Sequence, residues 1–318
     1  MDVAEAVSSA GVRIFRAGVW KPRTKPGGFE GVGRKALAWL KEVKEKTSMA
    51  VATEVANSVH VEEALSAGVD ILWLGARTTV NPFAVQEIAD SLKGVDIPVL
   101  IKNPINPDIE LWCGAFQRLQ NAGIADLGLI HRGFSSYQEQ IYRNSPIWQI
   151  PIEMKRRFPH IPMICDPSHI AGNRELVPQL CQQAMDLNFD GLMIETHCYP
   201  DCALSDGRQQ LEPETLIQLL RSLEFRENND LTEVLTVFRD RIDKIDRSLL
   251  ELLSERMRIS KEIGIYKKTF RIPVLQNRRY DAILQESINL AEELDLTPDF
   301  VTSLMKAIHE ESVKQQIS

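Results

Sequence analysis

Asn121-Ala122-Gly123-Ile124 closes a helical stretch, and Leu127-Gly128-Leu129-Ile130-His131, followed at once by Arg132, reads as the strand after it. The glycine suits the left-handed residue just past a helix, and the apolar residue behind it leads into the strand. That strand is apolar without alternation, as strands covered on both faces are. The same phrase occurs twice upstream, in Ser9-Ala10-Gly11-Val12 and Ser66-Ala67-Gly68-Val69.

Working outward, strand candidates are Val12–Arg16, Ala50–Glu54, Ile71–Leu74, Val99–Lys102, Leu127–His131, Met163–Asp166 and Gly191–Glu195. Amphipathic stretches such as Arg34–Lys46, Val61–Ala67 and Glu110–Asn121 lie between them. Alternation of this kind predicts a parallel α/β sheet. Arg16, Glu54, Arg77, Lys102, His131-Arg132, Asp166 with His169, and Glu195 with His197 all fall at the carboxyl ends of strands. A polar ring fed by nearly every strand fits the mouth of a TIM-type (β/α)₈ barrel, whereas a doubly wound sheet gathers its chemistry at one switch point. Seven strands are found where eight are required, and the chain opens on a helical segment, Val3–Ala10. The expectation is a barrel that begins one strand late.

From Asp230 the period changes. Leu231, Val234, Leu235, Phe238, Ile242, Ile245, Leu249, Leu252, Leu253 and Met257 recur at helical spacing, which predicts one helix reaching about Lys268. Such a helix is roughly 55 Å long. Pro273 interrupts the pattern, Asn277–Leu290 resumes it, and Thr297-Pro298 starts a third helix. The expected division is a barrel at 1–225 and an all-α three-helix domain at 226–318. A helix this long cannot hide its apolar stripe in so small a unit, which predicts a homodimer through the helical domain.

The chain has 318 residues, 44% hydrophobic and 25% charged, and a formal net charge of −7. That balance speaks against nucleic acid as a partner, but not against small anions. The start, Met1-Asp2-Val3-Ala4-Glu5, has no signal-peptide pattern, and no stretch approaches the roughly 18 apolar residues of a membrane span. Five cysteines, an odd number, do not suggest a disulfide framework. A cytoplasmic enzyme, with no membrane partner, is the expectation.

Arg16, Lys21 and Arg23, with the hydroxyl of Thr24, stand just beyond the first strand, and Arg77, Lys102 and Arg132 add cations. Arg offers a fork of donors and Lys a point charge, so the group reads as a clamp for phosphates and carboxylates, against a solvated basic loop. Gly27-Gly28-Phe29-Glu30-Gly31-Val32-Gly33 lacks the Lys-Ser/Thr of a Walker loop. On spacing alone, His169, Glu195 and Asp206 are a plausible set for Mn, Fe or Zn, although a structural His is common. Cys198 and Cys202 have no second pair and read as incidental.

Arg16–Thr24 (Arg-Ala-Gly-Val-Trp-Lys-Pro-Arg-Thr), Gly75–Thr79 (Gly-Ala-Arg-Thr-Thr), Asp166–His169 (Asp-Pro-Ser-His) and Ala203–Gly207 (Ala-Leu-Ser-Asp-Gly) resemble 3-deoxy-D-arabino-heptulosonate 7-phosphate (DAHP) synthase of the type Iβ branch. The likeness runs from about Ala4 to Leu223. It implies condensation of phosphoenolpyruvate with erythrose 4-phosphate on a metal-containing barrel. By the same resemblance Arg16, Lys21, Arg77, Lys102 and Arg132 hold phosphoenolpyruvate, and Arg23 and Thr24 meet the sugar phosphate. His169, Glu195 and Asp206 would bind the divalent metal. The family's fourth ligand, a Cys in a Gly-Pro-Cys-Ser turn ending the first strand, has no counterpart here.

In the second region, Phe238–Asp246, Leu252–Arg256 and Glu311–Gln316 resemble the all-helical chorismate mutases. That family rearranges chorismate to prephenate in one pericyclic step without a cofactor. The resemblance implies that Arg256 and Arg239 of the partner subunit grip the two carboxylates. Lys267 and Gln316 face the ether oxygen, and Arg279 and Ser312 complete the pocket. Gln276 and Tyr280 depart from the family's usual Asp and Glu. Two functions stay open: a bifunctional synthase and mutase, or a mutase whose impaired barrel serves as scaffold or regulatory module. An octulosonate-phosphate synthase is a third.

Overall fold

The computed structural model describes residues 1–23, 27–136, 141–226, 233–275 and 277–317. They form two compact units, Met1–Glu227 and Asn228–Ser318.

In the first unit seven parallel strands stand in sequence order: β1 (Ile14–Arg16), β2 (Ala50–Val55), β3 (Ile71–Leu74), β4 (Val99–Lys102), β5 (Leu127–His131), β6 (Met163–Cys165) and β7 (Gly191–Leu192). Helix α1 (Asp2–Ser8) precedes them. Behind the strands run α2 (Lys35–Thr47), α3 (Ser58–Ser66), α4 (Ala76–Thr79), α5 (Pro82–Ser91), α6 (Ile109–Asn121), α7 (Gln149–Arg157), α8 (Pro167–Ala171), α9 (Val177–Asp186) and α10 (Pro213–Ser222). Gly11, Gly68 and Gly123 of the repeated phrase all have positive φ, so each lets the chain leave its helix in the left-handed conformation. Asn57, Asn81 and Asp108 cap α3, α5 and α6 by accepting hydrogen bonds from the first free backbone N–H groups.

One core lies between strands and helices, filled by residues such as Val51, Leu72, Leu74, Ile101, Trp112, Phe116 and Leu180. A second lies inside the curl of the sheet, where Ala52, Trp73 and Ile130 meet. The sheet is an open barrel. Among the described residues β1 pairs only with β2, and β7 only with β6. A cavity of about 300 Å³ opens beside these two edges, lined by Ile14, Phe15, Leu192 and Ile194 and, at the polar end, by Arg16, Lys21 and Glu195. Ile14 is 49% exposed there, as expected of a strand paired on one side only.

The second unit contains α11 (Glu233–Thr269), α12 (Asn277–Glu293) and α13 (Pro298–Ile317), and α13 packs on both others. Gly264 marks the closest approach of α11 to α13. A Cβ there would meet the Gln316 backbone at 2.6 Å, so a larger residue would push the helices apart. Phe238, Ile242, Ile245, Leu249 and Leu252 along α11 remain half exposed. No helix of the described residues is long and apolar enough to cross a membrane.

Candidate active sites

The parallel sheet delivers its strand-end residues to one mouth. Arg16 ends β1, and its Nη2 donates to Glu195 Oε1 at 2.8 Å while the guanidinium lies 5.5 Å above the Trp73 ring. The other oxygen of Glu195 accepts from Gln209 Nε2 at 2.6 Å. Lys21 donates to Ser205 Oγ at 2.7 Å and lies 3.8 Å from Asp206. Asp206 also accepts from Arg23 at one oxygen and from Arg143 at the other, both at 3.2 Å. Burial works to raise its pKa, but Lys21, Arg23 and Arg143 together bring it down to about 2. Burial lowers the pKa of Lys21, with the neighbouring cations Arg16 and Arg23 acting in the same direction.

Deeper in the mouth Lys102 Nζ meets Asp166 Oδ2 at 2.7 Å, with both side chains buried. Asp166 also accepts from the backbone N–H of His169 at 3.2 Å and faces its Nδ1 at 3.0 Å. Burial opposes ionisation of Asp166, yet His169 and Lys102 hold it well below the usual carboxylate range. Arg132 donates to Asn144 Oδ1 at 2.8 Å, and its backbone N–H is held by Asn103 at 2.7 Å. Its own pKa falls to about 10, chiefly through burial. His131, one residue earlier, leaves the mouth and packs among Phe134, Trp148 and Phe189, where burial pushes its pKa down to about 3.

The structure therefore brings Arg16 to Glu195, Lys21 and Arg23 to Asp206, and Lys102 and His169 to Asp166. Arg77 stands exposed on α4, and Thr24 lies outside the described residues. Sequence reasoning missed Arg143, Ser205 and Gln209. Arg143 and Ser205 sit on loops and Gln209 on the short 3₁₀ turn Gly207–Gln209, none of them at a strand end.

His169, Glu195 and Asp206 do not assemble as a metal set. Both oxygens of Glu195 and both of Asp206 are committed to Arg or Gln donors. Among the described residues no group of three His, Cys, Asp or Glu side chains could hold a metal ion.

In the helical unit two contacts bring four separated residues together. Arg256 of α11 donates to the Ser312 hydroxyl of α13. Lys267 Nζ donates to Gln316 Oε1 at 3.0 Å and to the Val274 carbonyl at 2.8 Å. Lys267 and Ser312 are buried. Arg239 stands exposed on the same helix, 17 residues before Arg256, or about 25 Å along the axis. Arg279 is exposed on α12. Tyr280 stacks on His309 of α13 at 4.1 Å, and Gln276 lies outside the described residues.

The first unit is an open parallel barrel with a cation-rich mouth, and the second a helical unit with Arg256 and Lys267 held between two helices. Residues 1–230 match the DAHP synthetase I family, and the chain belongs to that family. Residues 238–317 match chorismate mutase type II. Phospho-2-dehydro-3-deoxyheptonate aldolase of Thermotoga maritima is 33% identical over 223 residues, which cover 70% of this chain and 64% of the relative. T-protein of Enterobacter agglomerans is 32% identical over 78 residues, covering 24% of this chain and 21% of that protein. A 2-dehydro-3-deoxyphosphooctonate aldolase of Desulfotalea psychrophila is 28% identical, covering 70% of this chain and 82% of the relative. The crystal structure of DAHP synthase from T. maritima superposes with a TM-score of 0.62 at 30% identity, covering 69% of this chain and 62% of that one. The chain thus spans just under two thirds of the length of the T. maritima protein. The DAHP synthase family generally uses a divalent metal.

Proposed function

We propose that the chain is a bifunctional enzyme of aromatic biosynthesis, working in the cytoplasm. The helical unit rearranges chorismate to prephenate, and the barrel condenses phosphoenolpyruvate with erythrose 4-phosphate. The observation that carries the first activity is the Arg256–Ser312 and Lys267–Gln316 pairing across α11 and α13. Chorismate carries two carboxylates, and its rearrangement needs no proton transfer. Catalysis is confinement of a folded conformer together with donors placed where charge develops. Arg256 holds a carboxylate, with Ser312 fixing its guanidinium. Lys267 and Gln316 donate to the ether oxygen as its bond to carbon breaks, Gln316 through its amide N–H. Arg279, exposed on α12, is assigned to the same substrate.

Arg239 cannot reach the pocket of its own helix from about 25 Å away. The half-exposed apolar stripe of α11 supports a homodimer in which Arg239 of the partner subunit completes each pocket.

In the barrel, Arg16, Lys21, Arg23 and Arg132 carry the charge that phosphates and a carboxylate require. Lys102 and Asp166 form the buried polar floor, and the exposed Arg77 adds a further cation. A second reading is a mutase with a non-condensing barrel, favoured by the paired Glu195 and Asp206. Assaying each half-reaction on the full chain separates the two. Arg256→Ala should lower mutase kcat/KM by about 10³ while leaving the circular-dichroism spectrum unchanged. Retained activity would remove the helical pocket from consideration.

A further inference from the structure

The mouth of the barrel is neutralised from within. Glu195 is shared between Arg16 and Gln209, and Asp206 between Arg23 and Arg143 with Lys21 close by. For a divalent cation to use Asp206, an arginine would have to give up an oxygen, leaving its guanidinium beside a dication, and at Glu195 it would have to compete with Gln209 for Oε2 while Arg16 stays on Oε1. The Nδ1 of His169 faces Asp166, which leaves Nε2 as the ring nitrogen for a metal. No thiol completes a set among the described residues: Cys113, Cys165 and Cys181 are buried, and Cys198 and Cys202 join no ligand group.

Asp206 is also placed to be exchanged. It sits between two short 3₁₀ turns, Pro200–Cys202 and Gly207–Gln209, with a left-handed backbone (φ 55°) that Asp and Asn tolerate. Its carboxylate presents two oxygens to three cations, the arrangement that a phosphate group satisfies equally well.

We infer that in this chain Glu195 and Asp206 are built-in counter-ions of the mouth rather than metal ligands, and that a phosphate-bearing ligand enters without a metal by displacing Asp206 from Lys21, Arg23 and Arg143. This rests on the proposal that the mouth takes phosphorylated anions. Glu195 stays with Arg16, which is pinned from below by Trp73, while Asp206 yields.

The test uses the full chain stripped with a chelator. Mn²⁺ uptake is followed by the paramagnetic resonance of the free ion, and binding of phosphoenolpyruvate and inorganic phosphate is measured by calorimetry in EDTA and in Mn²⁺. The expected result is no Mn²⁺ uptake that His169→Ala removes, the same anion affinity in both buffers, and about tenfold tighter phosphate binding by Asp206→Asn. One equivalent of Mn²⁺ bound per chain, and lost in both His169→Ala and Asp206→Asn, would overturn the counter-ion assignment. So would anion binding that requires Mn²⁺. Failure of both anions to bind in either buffer would overturn the displacement and the proposed function of the mouth together. Mn²⁺ uptake beside normal anion binding would overturn the counter-ions alone. Should Asp206→Asn not fold, the Mn²⁺ and EDTA measurements on the unaltered chain still decide.

Discussion

The two units gather cations and treat them differently. In the barrel Arg16, Arg23 and Lys102 each meet a carboxylate of the same unit. In the helical unit Arg256 and Lys267 meet a hydroxyl, a side-chain amide and a backbone carbonyl, all neutral. An anion arriving at Arg256 and Lys267 meets cations that hold no carboxylate. One arriving at the barrel must exchange with a carboxylate. Ligand binding should therefore add more stability to the helical pocket, and removal of one partner should do more harm to the barrel.

That contrast can be broken at Lys102. Its side chain and that of Asp166 are 6% and 0% exposed, so truncation strands a buried carboxylate. Lys102→Ala should destabilise the barrel unit by about 3–5 kcal/mol in denaturant unfolding, with mutase activity retained. A loss no larger than that of an average surface substitution would show that Asp166 is not left uncompensated when Lys102 is removed.

A smaller effect sharpens the comparison through pH. His131 is buried and neutral with a pKa of about 3, while the unfolded chain carries an ordinary histidine near 6.5. Between those values the unfolded state binds the extra proton. Barrel stability should then fall as pH drops from about 6.5 towards 3, by at most about 1.4 kcal/mol per pH unit from this group. It should be restored above pH 6.5. His131→Phe should flatten that slope in melts at pH 5 and 7, and an unchanged slope would assign the acid sensitivity elsewhere.

The fold was legible where periodicity is set by burial. Ile71–Leu74, Val99–Lys102 and Leu127–His131 are read from the sequence with the bounds the structure has, because each is an inner strand covered on both sides. The two edge strands read longer than they are. Val12–Arg16 shortens to Ile14–Arg16 and Gly191–Glu195 to Gly191–Leu192, since a strand with one neighbour ends where its single ladder ends. The mouth was legible for the same reason as the inner strands: a parallel sheet brings Arg16, Lys102, Arg132 and Glu195 to one side. Arg143 was not, because its place depends on its backbone N–H reaching Ala171 at the end of α8, a contact without local signature. The ion pairing of Glu195 and Asp206 was equally hidden, since residue type shows that a carboxylate can bind a metal but not that an arginine reaches it first.

The central claim for the helical unit is a pocket shared by two chains, and subunit complementation tests it most directly. Arg239→Ala and Arg256→Ala chains are each purified alone and also co-expressed, and chorismate turnover is measured. If each pocket takes Arg239 from the partner subunit, half of the co-expressed dimers are mixed and carry one intact pocket of two, so activity should return to about a quarter of the unaltered level. A co-expressed sample no more active than either variant alone would contradict the shared pocket.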